Sequence, residues 1–194
     1  MSGALNYRAH PTAEIASGAS VGDGTVIWQH CVILDTARVG KKCKVAHNVF
    51  VEGGATVGDR VTVKDNVSLY AGVEIGDDVF IGPNAVFTNV LTPRAFISRK
   101  DALSRTKVAN GATIGANATI VCGVSIGEFA MIGAGSVVVD DVAAYALVVG
   151  NPARQIGWVS RTGARLDDNL VCPETGEMYS RSGDEPLANP ASGI

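Results

Sequence analysis

The strongest constraint on this chain is an apolar residue at every sixth position. Thirteen consecutive hexads, from Ile15 to Phe87, carry Ile, Val, Leu or Phe at this position. The same phase resumes at Val108 and continues to Val138. The step from Phe87 to Val108 is 21 residues, which is one hexad plus 15 inserted residues. A period of six fits neither an α-helix nor an alternating strand.

A repeat of this length predicts a parallel β-helix, in which each hexad forms one short strand and one turn. Three hexads then close one triangular coil, and about six coils are expected. Position one points into the prism, while position five, which is always small or β-branched, fills a corner. We therefore predict an all-β chain with a lead-in at 1–14, a β-helix at 15–150 containing a loop at 88–107, and a small C-terminal extension at 151–194.

Several aromatic residues fall at neither of the two inward positions. We expect them to point outward and to form a subunit interface, although scattered surface aromatics remain the alternative. They are Trp28, Phe50, Tyr70, Phe80 and Phe129.

Composition excludes several classes of partner. The formal net charge of −3 gives no strong attraction to nucleic acid or acidic membranes. No run of 18 apolar residues occurs and the N-terminus does not resemble a signal peptide, so we expect a cytoplasmic protein without membrane insertion. The four cysteines contain no CxxC pair, which predicts free thiols and no metal site.

A column of polar residues repeats at the spacing of one coil. His30, Asn48, Asn66 and Asn84 are 18 residues apart, and Asn117 follows after 18 plus the 15 inserted residues. An asparagine ladder that satisfies turn backbone is the structural interpretation, which we favour for Asn48 and Asn117. For Asn84 we favour a functional role, because the insertion departs one hexad later.

The insertion is basic. A long loop in a regular solenoid is usually functional, and its cations suit a ligand with phosphates and a carboxylate, although a solvated charged loop is the alternative. Its one acidic residue is Asp101, and its cations are Arg94, Arg99, Lys100, Arg105 and Lys107.

Three histidines are candidates for a general base. His10 precedes the repeat and is expected at the surface. His30 lies three coils below Asn84, roughly 14 Å away at the usual strand spacing, and His47 lies two coils below it. Neither is expected to share a site with Asn84 within one subunit, so either acts at another level or across an interface.

These hexads, the basic loop and the ending Ala146–Arg154 resemble the hexapeptide-repeat acyltransferases, whose fold is a left-handed parallel β-helix. Within that superfamily, the stretches Asn66–Tyr70, Phe80–Asn89 and Thr92–Arg94 look most like bacterial N-acetyltransferases acting on UDP-2-acetamido-3-amino-2,3-dideoxy-glucuronate. Those enzymes contribute to the O-antigen sugars of lipopolysaccharide.

The resemblance implies a homotrimer with acetyl-CoA, a co-substrate, in a groove between neighbouring prisms and the UDP-amino sugar acid in the same cleft. It implies that Asn84 holds the reacting amine. The substrate-binding residues are expected to be Lys64, Asn66, Tyr70, Asn84, Arg94 and Arg99. The acetyl-CoA-binding residues are expected to be Gly115, Asn117, Ala134 and Arg154.

Other functions stay open. The acceptor is alternatively another amino-sugar nucleotide, or a small molecule such as serine or an antibiotic, although the basic loop argues against a small neutral acceptor. A β-helix without catalytic activity, used as an assembly scaffold, is the third interpretation.

The C-terminal extension departs from its relatives. Residues Trp158–Leu166 and Val171–Gly176 resemble a small zinc-ribbon-like tail, in which four cysteines bind the metal. Only Cys172 remains here, and one thiolate cannot make a four-ligand zinc site. We therefore predict a metal-free hairpin.

Overall fold

A computed structural model describes residues 6–99, 101–182 and 185–188. All regular secondary structure within these ranges is β, and most strands are two residues long. Short strands follow from the six-residue repeat, because each hexad must also contain a turn. Among the described residues there is no helix long and apolar enough to cross a membrane.

Three sheets form the faces of a parallel β-helix, and from β1 to β20 each strand is followed by a strand of the next face. Face A consists of β1 Arg8–Ala9, β4 Val26–Ile27, β7 Lys44–Val45, β10 Thr62–Val63, β13 Phe80–Ile81, β16 Thr113–Ile114, β19 Met131–Ile132, β21 Ala146–Gly150 and β22 Ala153–Trp158. Face B consists of β2 Glu14–Ile15, β5 Val32–Ile33, β8 Phe50–Val51, β11 Ser68–Leu69, β14 Val86–Phe87, β17 Thr119–Ile120 and β20 Val137–Val138. Face C consists of β3 Ser20–Val21, β6 Arg38–Val39, β9 Thr56–Val57, β12 Val73–Ile75, β15 Thr106–Val108 and β18 Ser125–Ile126. A separate hairpin pairs β23 Tyr179–Ser182 with β24 Glu185–Ala188.

The strands pair in parallel with the predicted register. Thr62 pairs with Lys44 below and Phe80 above, each 18 residues away. Across the insertion, Phe80 pairs with Thr113, an offset of 33 that equals 18 plus 15. The inserted residues therefore leave the phase of the coils unchanged, as the sequence predicts.

The two inward positions form one continuous core. Every position-one residue from Ile27 to Val138 is buried, and so are the small residues at position five. Phe87 is the largest fully buried side chain and is 1% exposed. Ile15 and Val21 are only partly buried, because they lie in the first coil.

The expected number of six coils is wrong, because face A contains eight parallel strands. At the lower end, Ala9 continues the hexad phase and β1 pairs with β4, although an alanine gives little hydrophobic signal. At the upper end, β21 pairs in parallel with β19 after the hexad spacing has been lost. Strands β21 and β22 then form an antiparallel hairpin that crosses the expected boundary at residue 150.

The corners between faces depend on left-handed backbone. Asn84 has a φ of 57°, and asparagine adopts this conformation more readily than most residues. Glycine is required where coils stack closely: a Cβ at Gly115 would lie 2.5 Å from the backbone nitrogen of Ala134. The same crowding applies at Gly82, one coil below.

The C-terminal segment packs against the upper coils through aromatic rings. Phe129, which was expected to face outward and contribute to an interface, stacks on Tyr145 with a centroid distance of 5.3 Å. The guanidinium of Arg161 lies 5.2 Å from the centre of the Phe129 ring. The expectation is therefore wrong for Phe129, because residues of the same chain cover this ring.

Candidate functional site

The asparagine column is a hydrogen-bonded ladder at the corner between faces A and B. The side chain of Asn48 donates through Nδ2 to Oδ1 of Asn66 at 2.8 Å, and Asn66 donates in the same way to Asn84 at 3.0 Å. His30, Asn48, Asn66, Asn84 and Asn117 all have φ between 57° and 61°. The ladder is therefore structural at its lower rungs, and this structural role extends up to Asn84.

The direction of the ladder determines what Asn84 offers to a ligand. Its Oδ1 already accepts one hydrogen bond from Asn66, and a carbonyl oxygen has a second lone pair. Its Nδ2 carries two donors. Asn84 is exposed, so one acceptor site and the amide donors face the surface at the A–B corner.

His47 forms a pair with an acid one coil above it. Its Nδ1 lies 2.7 Å from Oδ1 of Asp65, and the two side chains are 54% and 31% exposed. Because a carboxylate only accepts, Nδ1 carries the hydrogen and Nε2 is the nitrogen left for a ligand. The backbone carbonyl of Asp65 accepts the N–H of Asn84, so the His47–Asp65 pair lies directly beneath the turn of Asn84.

The inserted loop leaves from a different corner. It follows β14 on face B and returns at β15 on face C, so it emerges at the B–C corner. Its returning limb is joined to the coils by the hydrogen bond from Thr106 N to Gly72 O and by the exposed pair Arg105–Glu74 at 3.4 Å. Lys100 lies outside the described residues. Within one chain, face B thus separates the described loop cations from Asn84.

The predicted site residues consequently fall into two groups. One follows the A–B corner upward, from Lys64, Asn66 and Asn84 to Gly115, Asn117 and Ala134. The other lies at the B–C corner, where Tyr70 follows β11 and where the loop carries Arg94 and Arg99. Arg154 lies at the top of the prism, near the start of strand β22, and its Nη1 is 3.7 Å from Oδ2 of Asp140.

The four positions expected from the zinc-ribbon resemblance meet in the C-terminal segment. Cys172 is fully buried, and Ser160, Thr162 and Thr175 occupy the other three positions around its sulfur. Burial opposes ionisation, but hydrogen bonds from Ser160 and Thr175 outweigh it and lower the pKa of Cys172 from 9.0 to about 7. Among the described residues, no group of three or more His, Cys, Asp or Glu side chains is placed to hold a metal ion.

Sequence reasoning missed a groove on face A beside the lower rungs of the ladder. It has a volume of about 310 Å³ and is bordered by Trp28, Lys44, His47, Lys64 and Asp65. The signal was present in the sequence, because His47 and Asp65 are 18 residues apart and so are Ala46 and Lys64. We refer to this cavity as the Trp28 groove.

Comparisons with known proteins agree with this architecture. The family model described as bacterial transferase hexapeptide, six repeats, matches residues 54–89 and 105–140. The gap between the two matched segments falls within the inserted loop.

A curated relative is the dTDP-3-amino-3,6-dideoxy-alpha-D-galactopyranose 3-N-acetyltransferase of Aneurinibacillus thermoaerophilus, which is 49% identical over 82 residues. That match covers 41% of this chain and 42% of the relative, so it spans less than half of the relative's length. The chloramphenicol acetyltransferase of Morganella morganii is 45% identical over 65 residues, which is 32% of this chain and 31% of that protein.

Among solved structures, the chain is similar to a mutant of the GDP-perosamine N-acetyl transferase of Caulobacter crescentus, in complex with CoA and GDP-perosamine. The TM-score is 0.54 at 21% sequence identity, with 79% of this chain and 57% of that chain covered. At this identity the similarity establishes the fold. The match to the hexapeptide transferase family covers residues 54–89 and 105–140, which carry the hexad register on both sides of the insertion.

Proposed function

We propose that the chain is an acetyl-CoA-dependent N-acetyltransferase that acetylates the 3-amino group of a UDP-linked 2-acetamido-3-amino-2,3-dideoxy-glucuronic acid. The observation that carries this proposal is the amide ladder ending in an exposed Asn84, with a cationic loop inserted one hexad later. The curated relative named above acts on a 3-amino sugar nucleotide, which supports the same acceptor class. The product would serve lipopolysaccharide O-antigen biosynthesis, and the reaction would take place in the cytoplasm.

The proposed assembly is a homotrimer. Exposed large apolar side chains occur on face A at Phe80 and on face B at Leu34, Val86 and Val139, whereas the exposed Trp28 borders the Trp28 groove. The outward residues of the face C strands are polar. Two apolar faces that meet at the ladder corner suit a closed cyclic assembly in which the B–C edge of face B on one prism packs against face A of the next, close to its ladder corner.

A trimer also accounts for the two groups of predicted site residues. Within one subunit, face B lies between the corner from which the loop leaves and the corner of Asn84. In a cyclic assembly, the B–C corner of one prism approaches the A–B corner of its neighbour. We therefore place Tyr70, Arg94 and Arg99 of one subunit opposite Lys64, Asn66 and Asn84 of the next.

Acetyl-CoA is assigned to the upper coils along the same corner. Gly115 and Gly133 follow one another up the prism and are partly exposed beside the ladder. An extended pantetheine arm can approach such a strip closely. Asn117 and Ala134 border the strip, and Arg154 at the top offers a guanidinium to a phosphate.

The proposed reaction needs orientation more than a strong base. The neutral amine nitrogen attacks the thioester carbon, the carbon–sulfur bond breaks, and the proton from nitrogen goes to the departing thiolate. The free lone pair of Asn84 Oδ1 accepts one amine N–H, which leaves the nitrogen lone pair free to attack. Turn backbone N–H groups polarise the thioester carbonyl, and Nδ2 of Asn84 is available as a further donor.

A rival for the proton-accepting role is Nε2 of His47, held in place by Asp65. A His47→Asn variant separates the two mechanisms, since it retains a polar side chain without a titrating group. Unchanged turnover between pH 6 and pH 9 removes His47 as a base. A large loss of kcat that does not recover at high pH supports it.

Thermal stabilisation by ligands tests the proposed function. We expect acetyl-CoA and the UDP-amino sugar acid each to raise the unfolding midpoint, because both bind only the folded protein. Serine and chloramphenicol serve as small-acceptor controls, the latter because of the similarity to a chloramphenicol acetyltransferase. Stabilisation by a small acceptor and not by any sugar nucleotide would replace the proposed substrate class. Stabilisation by no ligand would favour a scaffold.

A further inference from the structure

The Trp28 groove lies along a column of residues, each of which comes directly after a strand of face A. Successive coils place Trp28, Ala46, Lys64 and Gly82 one above another, as the backbone hydrogen bonds from each coil to the next require. Ala46 has a small side chain, so a gap opens between the indole below it and the Lys64 side chain above it. This gap is the groove of about 310 Å³.

The lining of the groove combines an aromatic surface with cations. Trp28 is 48% exposed although its ring is apolar. Lys44 and Lys64 border the same cavity, and Arg8 borders a second cavity on the lower side of Trp28. The only carboxylate bordering the groove, Asp65, is paired with His47. This cationic cluster lies on a chain whose formal net charge is −3.

An exposed aromatic ring beside lysines can bind a nucleotide, because the two kinds of group suit its base and its phosphates. Any nucleobase can stack on an indole, because every base has a flat π-face. Ammonium groups bind the phosphate oxygens. The groove also has the right position, since Gly82 and Asn84 lie about 10 Å above Ala46 at two strand spacings. A diphosphate and one hexose can span that gap.

We propose that the Trp28 groove binds the nucleoside diphosphate of the acceptor, with the base on Trp28 and the diphosphate between Lys44 and Lys64. This arrangement directs the sugar upward, so that its amine reaches Asn84. The assignment rests on the proposed function in that the nucleotide belongs to the acceptor. The same chemistry occurs in the 3′,5′-ADP portion of CoA, which the upper coils are assigned to bind instead.

Calorimetric titration of the full chain with UDP and with 3′,5′-ADP tests this assignment. Trp28→Leu should weaken UDP binding about tenfold to a hundredfold, because stacking on the base is lost. Trp28→Phe keeps an aromatic ring and should bind UDP more tightly than Trp28→Leu. Lys44→Gln should weaken UDP binding and reduce its salt dependence, whereas Lys41→Gln, at another corner, should leave it unchanged.

Binding of 3′,5′-ADP should not respond to Trp28→Leu. Equal UDP affinity in the wild type and both Trp28 variants overturns the subsite, and so does a selective loss of 3′,5′-ADP binding. The outcome is independent of the proposed reaction, because UDP binding is measured without acetyl transfer. Trp28-dependent UDP binding in a protein that acetylates no amino-sugar nucleotide would leave the subsite standing and remove the proposed function.

Discussion

Asn84 has two partners to satisfy, the ladder below it and the proposed ligand beside it. Asn66 Nδ2 fixes the orientation of its amide, which leaves one oxygen lone pair and the Nδ2 donors at the surface. This is a more specific role than that of a turn asparagine, because the lower rungs act as positioning residues for the upper one.

Substitutions at Asn84 test which part of the amide is used. Asn84→Ala should lower kcat about a hundredfold or more, with acetyl-CoA affinity and oligomeric state unchanged, because an orienting hydrogen bond is lost. Asn84→Asp keeps an acceptor for Asn66 and for the amine but has no Nδ2 donor. Retained turnover in Asn84→Asp indicates that the acceptor is sufficient, and a loss equal to that of Asn84→Ala indicates that the donor is needed.

A matched variant controls for the added charge. Asn110→Asp, at the corner between faces C and A, keeps the oxygen that accepts the N–H of Asp77, and should leave turnover unchanged. Near wild-type kcat in Asn84→Ala would contradict the assigned role outright.

Phe87 is the one buried aromatic residue in the described core of the prism, which otherwise consists of aliphatic side chains and cysteines. Phe87→Ala should lower the free energy of unfolding by about 3–5 kcal/mol, because a cavity forms where the coils cannot collapse. Met178→Ala removes a comparable apolar side chain that is 60% exposed, and should change the free energy by less than about 0.5 kcal/mol. Urea denaturation of both variants measures the difference, and equal effects would mean that Phe87 is not a core residue.

In the C-terminal hairpins, hydroxyl groups occupy the positions at which a zinc-ribbon-like tail would have metal ligands. Ser160, Thr162 and Thr175 surround the sulfur of Cys172, and hydroxyl groups are poor zinc ligands compared with thiolates. We predict that the purified protein contains no stoichiometric zinc by elemental analysis and that a chelator leaves its unfolding midpoint unchanged. One equivalent of zinc per chain, with destabilisation by the chelator, would contradict this prediction.

The hexad pattern predicted the strands, the core and the position of the insertion, because a buried residue at every sixth position leaves a strong periodic signal. The outer coils were missed, since Ala9 is weakly hydrophobic and β21 follows an irregular stretch. The His47–Asp65 pair was also missed, although its 18-residue offset places the two side chains on adjacent coils. Such a pair is found only when residues 18 positions apart are compared with each other. A search for motifs among neighbouring residues does not make that comparison.

In the whole molecule, Arg94 and Asn84 belong to different corners of one prism. The proposed cyclic trimer would bring them together, so that two subunits build each site. Light scattering should therefore give three times the chain mass of 20.0 kDa.

Mixed trimers test the shared site. Arg94→Ala alone should lower kcat/KM about tenfold to a hundredfold through the loss of a charged hydrogen bond. Co-expression of Asn84→Ala chains with Arg94→Ala chains should restore activity, because each mixed trimer contains one site in which both residues are intact. Activity no greater than that of the two single variants would place both residues in the same subunit's site.

The most direct test of the central claim is mass spectrometry of the acceptor after incubation with acetyl-CoA. We predict that UDP-2-acetamido-3-amino-2,3-dideoxy-glucuronic acid gains one acetyl group on its 3-amino nitrogen, with release of one equivalent of CoA thiol. The Asn84→Ala variant should form this product far more slowly under the same conditions. An unmodified sugar nucleotide with the wild-type protein, or an acetyl group on oxygen, would contradict the account.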